Sequence, residues 1–484
     1  MDQWLKSTKE LNPYAHGIAD LYRQQAHVLD EQGEELLSYF SSFSQTPSSI
    51  HSELSTSDIS FPDITLSNGD TITVTPGQYY SVLSSNRNQE DRQAVFQARN
   101  GLYNETKNTY AATYNGICQR DWAFAQARKY NSSLEASLEG DNVPVEVYET
   151  LVAMVKEGSG PLKRYHKARK KALSLEEYHL YDSSIPVVDF DKTYKYDDVA
   201  ETIINSVEPL GKDYQKKLRQ AFSGGWVDVY ENEGKRGGAY SVNSLYGIHP
   251  YMLLNFNDTM TDVFTVAHEM GHTVHTMYAQ ETQPFATTDY TLFVAEVSSN
   301  MAEALLLEYM LEKATDPKEK ITLLSNAIDN IAGTFYTQVM FADFELQAHR
   351  LVEQGQPITA EVLNGIYGDL LDQYYGEDVV HDALYEITWT RIGHFYFYPF
   401  YVYQYATCFA SSAEIFKGIN ADKKSTRKKA IKSYLNLLKS GGNDYPMEQL
   451  KLAGVDLTMK NTFQAVIDNF DKLVTELEEE IAKL

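Results

Sequence analysis

Two histidines four residues apart, set inside an apolar run, constrain this chain more than any other feature. The stretch reads Val266-Ala267-His268-Glu269-Met270-Gly271-His272. On an α-helix, positions i and i+4 differ by about 40° in azimuth and stand one turn apart. Both imidazoles then point the same way and can ligate one tetrahedral ion. Glu269 falls at the edge of that face, within reach of a water beside the ion, which is where a general base belongs. Thr261-Asp262, just upstream, is the candidate cap of the helix.

A catalytic zinc takes three protein ligands and keeps one position open. Downstream runs Leu292-Phe-Val-Ala-Glu296-Val-Ser-Ser-Asn300-Met-Ala-Glu303. Helical phase sets Glu296, Asn300 and Glu303 on one stripe. Acids among such apolar neighbours are unexpected unless paired or metal-bound. Glu296 is therefore the expected third ligand of a single zinc ion per chain. Glu303, two turns on, is the candidate acceptor for an imidazole N–H, behind the ligands. His275 shares the face of His268 but lies a turn past His272. It is expected behind the ligands or facing a groove.

A third element is aromatic: Arg391-Ile-Gly-His394-Phe-Tyr396-Phe-Tyr398-Pro399-Phe-Tyr401-Val-Tyr403-Gln-Tyr405. Pro399 fits the first turn of a new helix. His394 and Tyr398 would then lie in the approach, with Tyr401 and Tyr405 on one helical face. A tyrosine hydroxyl or histidine N–H beside a metal can stabilise the oxyanion of a tetrahedral intermediate. Tyr396 and Tyr403 read equally well as core aromatics.

The remaining pattern is helical over most of the 484 residues. Residues 16–44 and 78–220 carry helical periodicity, with a loop at 184–192, and helices follow again from 258 onward. Asn68-Gly69 between two alternating runs signals a hairpin. The one Gly-dense stretch, 224–256, reads as short strands and loops. Its Arg236-Gly-Gly-Ala-Tyr240-Ser241 lacks the ending of a phosphate loop, but a strand edge there can pair with an extended peptide. Gly-x-Ser-x-Gly is absent, which argues against a serine hydrolase of that type. The class is mainly α with a small β element.

The net charge of −25 argues against nucleic acid or an anionic membrane as the main partner. The basic run at 163–171 is expected as the solvated face of a helix. Two cysteines, Cys118 and Cys408, exclude a disulfide framework and a Cys-ligated zinc. No signal peptide and no run of about 18 apolar residues is visible, so the expectation is a soluble cytoplasmic protein. Oligomeric state is not legible.

Taken together, the blocks Gly238-Ala-Tyr240-Ser241, His268-Glu-Met-Gly-His272, Phe293-Val-Ala-Glu296, His394-Phe-Tyr, Tyr401-Val-Tyr-Gln-Tyr-Ala-Thr, Ser440-Gly-Gly-Asn-Asp-Tyr-Pro446 and Ala453-Gly-Val-Asp456 stand in this order. In them the chain resembles the oligoendopeptidase F branch of the thimet oligopeptidase-like zinc peptidases. The resemblance implies two helical lobes around a deep channel, with a zinc-dependent endopeptidase acting on short unstructured peptides. It implies zinc on His268, His272 and Glu296, and water activation by Glu269. It implies oxyanion donors among His394, Tyr398, Tyr401 and Tyr403. Substrate contacts would come from Gly238, Ala239 and Tyr403. Members of this branch carry further residues ahead of the stretch matching Met1. Residues 1–77 are thus expected as a shortened N-terminal lobe, and 78–484 as the catalytic domain. Two other readings stay open: a zinc carboxypeptidase of similar fold, although its expected Asp-x-Arg-x-Thr is missing, and a non-catalytic peptide-binding helical protein.

Overall fold

The computed structural model describes residues 2–242 and 245–484. Helices dominate, and the described residues hold five short strands in two sheets. Strands β1 (Asp63–Thr65) and β2 (Thr71–Thr73) form the expected hairpin, with Gly69 at φ +90° in its turn. Only glycine adopts that conformation without strain. The Gly-dense stretch gives β3 (Val227–Tyr230), β4 (Tyr240–Val242) and β5 (Tyr251–Phe256) in the order β3-β5-β4. β3 runs parallel to β5, and β4 runs antiparallel to it at the sheet edge.

Seven helices frame the region of interest: α1 (Lys107–Ala127), α2 (Met260–Thr282), α3 (Leu292–Lys313), α4 (Pro317–Ile331), α5 (Gln338–Glu353), α6 (Tyr403–Ile419) and α7 (Lys460–Ile481). One continuous apolar core runs from Leu66 to Leu477. α2 packs on α3 at unusually close range. A Cβ at Gly271 would stand 2.6 Å from the Ser298 carbonyl oxygen and 2.7 Å from Ser299 Cα. The glycine between Met270 and His272 therefore lets two backbones touch. Glu296, one turn before Ser299 on α3, is brought against the histidine face of α2.

Several expectations need correction. α2 is capped by Thr259, whose side chain accepts from Asp262 N–H while Asp262 accepts from Thr259 N–H. Asp262 is thus the third residue of a capping box, and Thr261 takes no part. Residues 16–44 are split into Ala15–Gln24, Gln25–His27 and Glu31–Ser44, because Asp30 caps a new start. The basic run lies on a helix, Gly160–Ala172, but its Arg169 and His166 are buried. Arg169 donates to Tyr165, Tyr178 and the carbonyls of Asp182 and Ile185, so that stretch is only partly solvated. Pro399 does not open a helix: α6 begins at Tyr403, after Phe400 takes φ +57°. No helix among the described residues is long and apolar enough to cross a membrane.

Candidate metal centre and active site

α2 and α3 bring His268, His272 and Glu296 together. Glu296 Oε2 lies 3.2 Å from His268 Nε2 and 3.5 Å from His272 Nε2. One ligand atom from each residue falls within 4.8 Å of the others. Three ligands at ordinary zinc bond lengths on a tetrahedron stand about 3.3 Å apart. The donor set, and the spacing of Glu296 from each histidine, thus fit a zinc-sized ion. Ser299 Oγ donates to the same Glu296 oxygen at 2.7 Å and aims it.

His268 Nδ1 meets Glu303 Oε1 at 2.6 Å. A carboxylate there calls for the proton on Nδ1 and frees Nε2 as a ligand. Asn330 on α4 donates to the other Glu303 oxygen at 2.9 Å. Burial disfavours the charged form of Glu296, but His268 and His272 outweigh it and hold the carboxyl far below the usual range.

Glu269 is buried beside this cluster, and its Oε2 has no partner among the described residues. Burial raises its carboxyl, against the pull of the two imidazoles and the Ser241 N–H. Ser241 belongs to β4, and its hydroxyl meets Thr273 Oγ1 on α2 at 2.9 Å. β4 thereby lies against the face of α2 that carries Glu269 and Thr273. Gly238, at φ +87°, turns the chain into this edge, and Ala239 lines the adjoining cavity.

The aromatic block gathers nearby. The His394 ring stacks parallel to Tyr401 at 6.0 Å between centroids, and the Tyr405 hydroxyl lies 3.4 Å from His394 Nε2. Burial raises both Tyr401 and Tyr405, and the Glu296 charge adds to it, which sets the two phenols in the field of that carboxylate. Burial lowers His394. Tyr405, which the expected site left out, is thus part of this group; its signal was its place four residues after Tyr401. Tyr398 is 65% exposed, with its ring 6.2 Å from Tyr401 at the rim.

Two placements differ from expectation. Tyr403 is buried, 5.1 Å from the Tyr148 ring and 6.1 Å from Phe293, so its ring is enclosed by the core instead of being open to the cleft. α6 turns it inward, opposite Tyr405's environment. His275 is also buried and stacks on Tyr290 at 3.6 Å. Neither of its ring nitrogens has a partner among the described residues, and burial lowers it to about 3. It hydrogen-bonds no ligand and faces no groove.

Beyond His268 and Glu269 opens a cavity of about 1080 Å³, bounded by α2, α3, α4, α6 and α7.

Comparison with known proteins identifies the family. A profile of Peptidase family M3 matches residues 82–468, and one described as Oligopeptidase F matches residues 1–61. Oligopeptidase PepF of Bacillus subtilis (strain 168) is 37% identical over 485 residues, covering 100% of this chain and 71% of that protein. An oligoendopeptidase F homolog of Lactococcus lactis subsp. lactis (strain IL1403) is 34% identical, covering 100% of this chain and 79% of that protein. The crystal structure of oligoendopeptidase-F from Enterococcus faecium superposes with a TM-score of 0.82 at 30% identity, covering 100% of this chain and 80% of that one. With a family profile spanning most of its length and such relatives matching it along its whole length, the chain belongs to Peptidase family M3, in its oligoendopeptidase F branch.

Proposed function

We propose that the chain is a zinc-dependent oligoendopeptidase that hydrolyses internal bonds of short, unstructured peptides. The observation that carries this reading is the His268–His272–Glu296 cluster, with Glu296 Oε2 3.2 and 3.5 Å from the two imidazole nitrogens and Glu269 beside it, its Oε2 without a partner among the described residues. His268, His272 and Glu296 would hold the ion. When bound, a zinc ion polarises the scissile carbonyl and makes a neighbouring water acidic.

The protein's own groups do the rest. Glu269 takes the proton of the attacking water through its free oxygen. Its raised affinity for protons suits it to keep that proton and then deliver it to the leaving nitrogen. His394, Tyr401 and Tyr405 offer an N–H and two hydroxyls on the side of the cluster where the oxyanion forms, with Tyr398 at the rim. Glu303 and Asn330 hold His268 in one tautomer and one orientation. The β4 edge, from Gly238 to Ser241, offers backbone groups to the substrate. Folded proteins are poor substrates, because the scissile bond has to reach a cluster set between helices.

The test is cleavage of a short internally quenched peptide blocked at both ends, with and without phenanthroline. Cleavage that the chelator abolishes and zinc restores is expected. Cleavage only of peptides with a free C-terminus would instead identify a carboxypeptidase. Stoichiometric zinc without turnover would identify a binding protein.

A further inference from the structure

Two arginines away from the metal centre are buried without an acid to answer them. On the helix Gln89–Glu105, Arg92 pairs with Asp182 at 2.7 Å, both buried. Two turns on, Arg99 is only 6% exposed, yet its Nε and Nη1 have no partner among the described residues. Its guanidinium carbon lies 4.4 Å from the centre of the Tyr79 ring and 5.2 Å from that of Tyr80, both on the helix Pro76–Ser85. Arg391, which ends the short turn Thr388–Arg391, comes to the same two tyrosines. Its Nε is also buried without a partner. Burial works against its charge, and the groups that favour it are the phenols of Tyr80, Tyr79, Tyr367 and Tyr385.

Tyr80 ties the pair together. Burial raises its phenol, but the charges of Arg391 and Arg99, with hydrogen bonds from both, carry it below its ordinary value. Two guanidiniums thus converge on one hydroxyl. Like charges held together away from bulk water are costly unless an opposite charge lies with them. The chain has a net charge of −25, yet no described carboxylate pairs with either arginine. A water would meet the free N–H groups and still leave both charges unbalanced. An oxyanion does both, because its oxygens match the guanidinium forks. Tyr80, 51% exposed, stands at the opening, with Tyr79 and Tyr367 buried behind it.

We propose that Arg99 and Arg391, with Tyr80 at the opening, form a binding site for a compact oxyanion, a phosphate or a carboxylate. Neither arginine lines the large cavity, and the site does not depend on the endopeptidase reading. Its occupant fastens the turn Thr388–Arg391, three residues before His394, to the helices Pro76–Ser85 and Gln89–Glu105. Phosphate, with more oxygens for two forks, is the fuller match.

The test follows thermal unfolding of the zinc-loaded protein as phosphate or acetate replaces chloride at constant ionic strength. A saturable rise in Tm is expected with phosphate. Saturation separates it from the general stabilising effect of that salt. Arg99→Gln and Arg391→Gln should each weaken the apparent affinity by about tenfold or more. Saturation by acetate instead would assign the site to carboxylates. The near-ultraviolet phenolate signal, wild type minus Tyr80→Phe, is a second readout that needs neither arginine variant to fold. Phosphate should move that ionisation to higher pH, because it neutralises the arginines. No saturable rise with either anion, or the same rise in both arginine variants, would overturn the site. So would a Tyr80 phenolate already present at neutral pH and unmoved by phosphate, because the phenolate would then be the counter-charge.

Discussion

The Glu345 carboxylate accepts the backbone N–H of Phe400 at 2.9 Å, inside the core, and so fixes the residue that precedes Tyr401. Phe400 sits at φ +57°, in the left-handed region. For a bulky side chain that conformation costs about 1–2 kcal/mol. Its ring packs 4.4 Å from His349 on α5 and 5.8 Å from Tyr148, which offsets the cost. The helix that carries His394 ends at Phe397, and the left-handed residue lies in the turn between it and α6.

Removing this anchor should therefore harm both stability and chemistry. Glu345→Ala leaves a buried N–H without an acceptor and a void beside it, a loss of about 2–4 kcal/mol. It should also lower kcat, because Tyr401 loses its fixed neighbour. Glu345→Gln keeps an acceptor oxygen and should retain most of kcat. Thermal unfolding and steady-state kinetics on both variants check this. Wild-type kcat in Glu345→Ala would show that Tyr401 does not depend on the anchor.

Glu345 also gives a pH prediction. Burial raises its carboxyl from 4.5 to about 7, against the pull of His349 and the Phe400 N–H and with some help from Asp121. The folded protein thus binds this proton more tightly than the unfolded chain does. The stabilising contribution is complete below pH 4.5 and is lost as pH rises through about 7. The full difference is about 3 kcal/mol. Denaturant unfolding of wild type and Glu345→Gln across that window should show wild type losing ground to the variant as pH rises. A constant difference would mean that Glu345 does not titrate there.

Glu303 bears on metal affinity rather than on fold. Its 2.6 Å contact with His268 Nδ1 orients a ligand from behind. Glu303→Ala should weaken zinc binding by about 10–100-fold. Competition with a metallochromic dye measures it directly. An unchanged affinity would reduce Glu303 to a surface of the cavity.

How legible this site was depends on what helical phase can encode. Spacing turned His268, His272, Glu296 and Glu303 into one cluster, because each pair lies on a helix face and Gly271 lets the helices meet. Phase gives azimuth but not depth. His275 shares the azimuth of His268 yet lies under Tyr290, and Tyr403 points into the core although Tyr401 and Tyr405 do not. The break at Phe400 carries no local signal either. Nothing in Tyr-Pro-Phe-Tyr asks for a left-handed residue, and its support comes from Glu345, 55 residues away. Arg169 is similar: its burial depends on Tyr178 and on carbonyls past the end of its own helix.

Glu269 supplies the sharpest separation of binding from chemistry. Its side chain is not among the three clustered ligands, so Glu269→Gln should keep stoichiometric zinc. The amide cannot take a proton, and turnover should fall by at least about 10²–10⁴-fold. Metal analysis alongside peptide cleavage checks both halves. Loss of zinc from the variant would instead make Glu269 part of the metal's support.

The three tyrosines at 401, 403 and 405 offer a graded test of the oxyanion arrangement. Each Tyr→Phe change removes one hydroxyl and little volume. Tyr401 and Tyr405 are half-buried beside His394 and feel the Glu296 charge, whereas the Tyr403 ring is enclosed by the core. A donor aimed at a developing negative charge gains strength only in the transition state, so its loss lowers kcat more than it raises KM. Tyr401→Phe or Tyr405→Phe should therefore lower kcat by about 10²–10³-fold if that hydroxyl is the donor. Tyr403→Phe should leave kcat near the wild-type value and touch only stability. If Tyr403→Phe alone abolished turnover, α6 would have to rotate in the working enzyme, and the His394–Tyr405 contact would not survive that rotation.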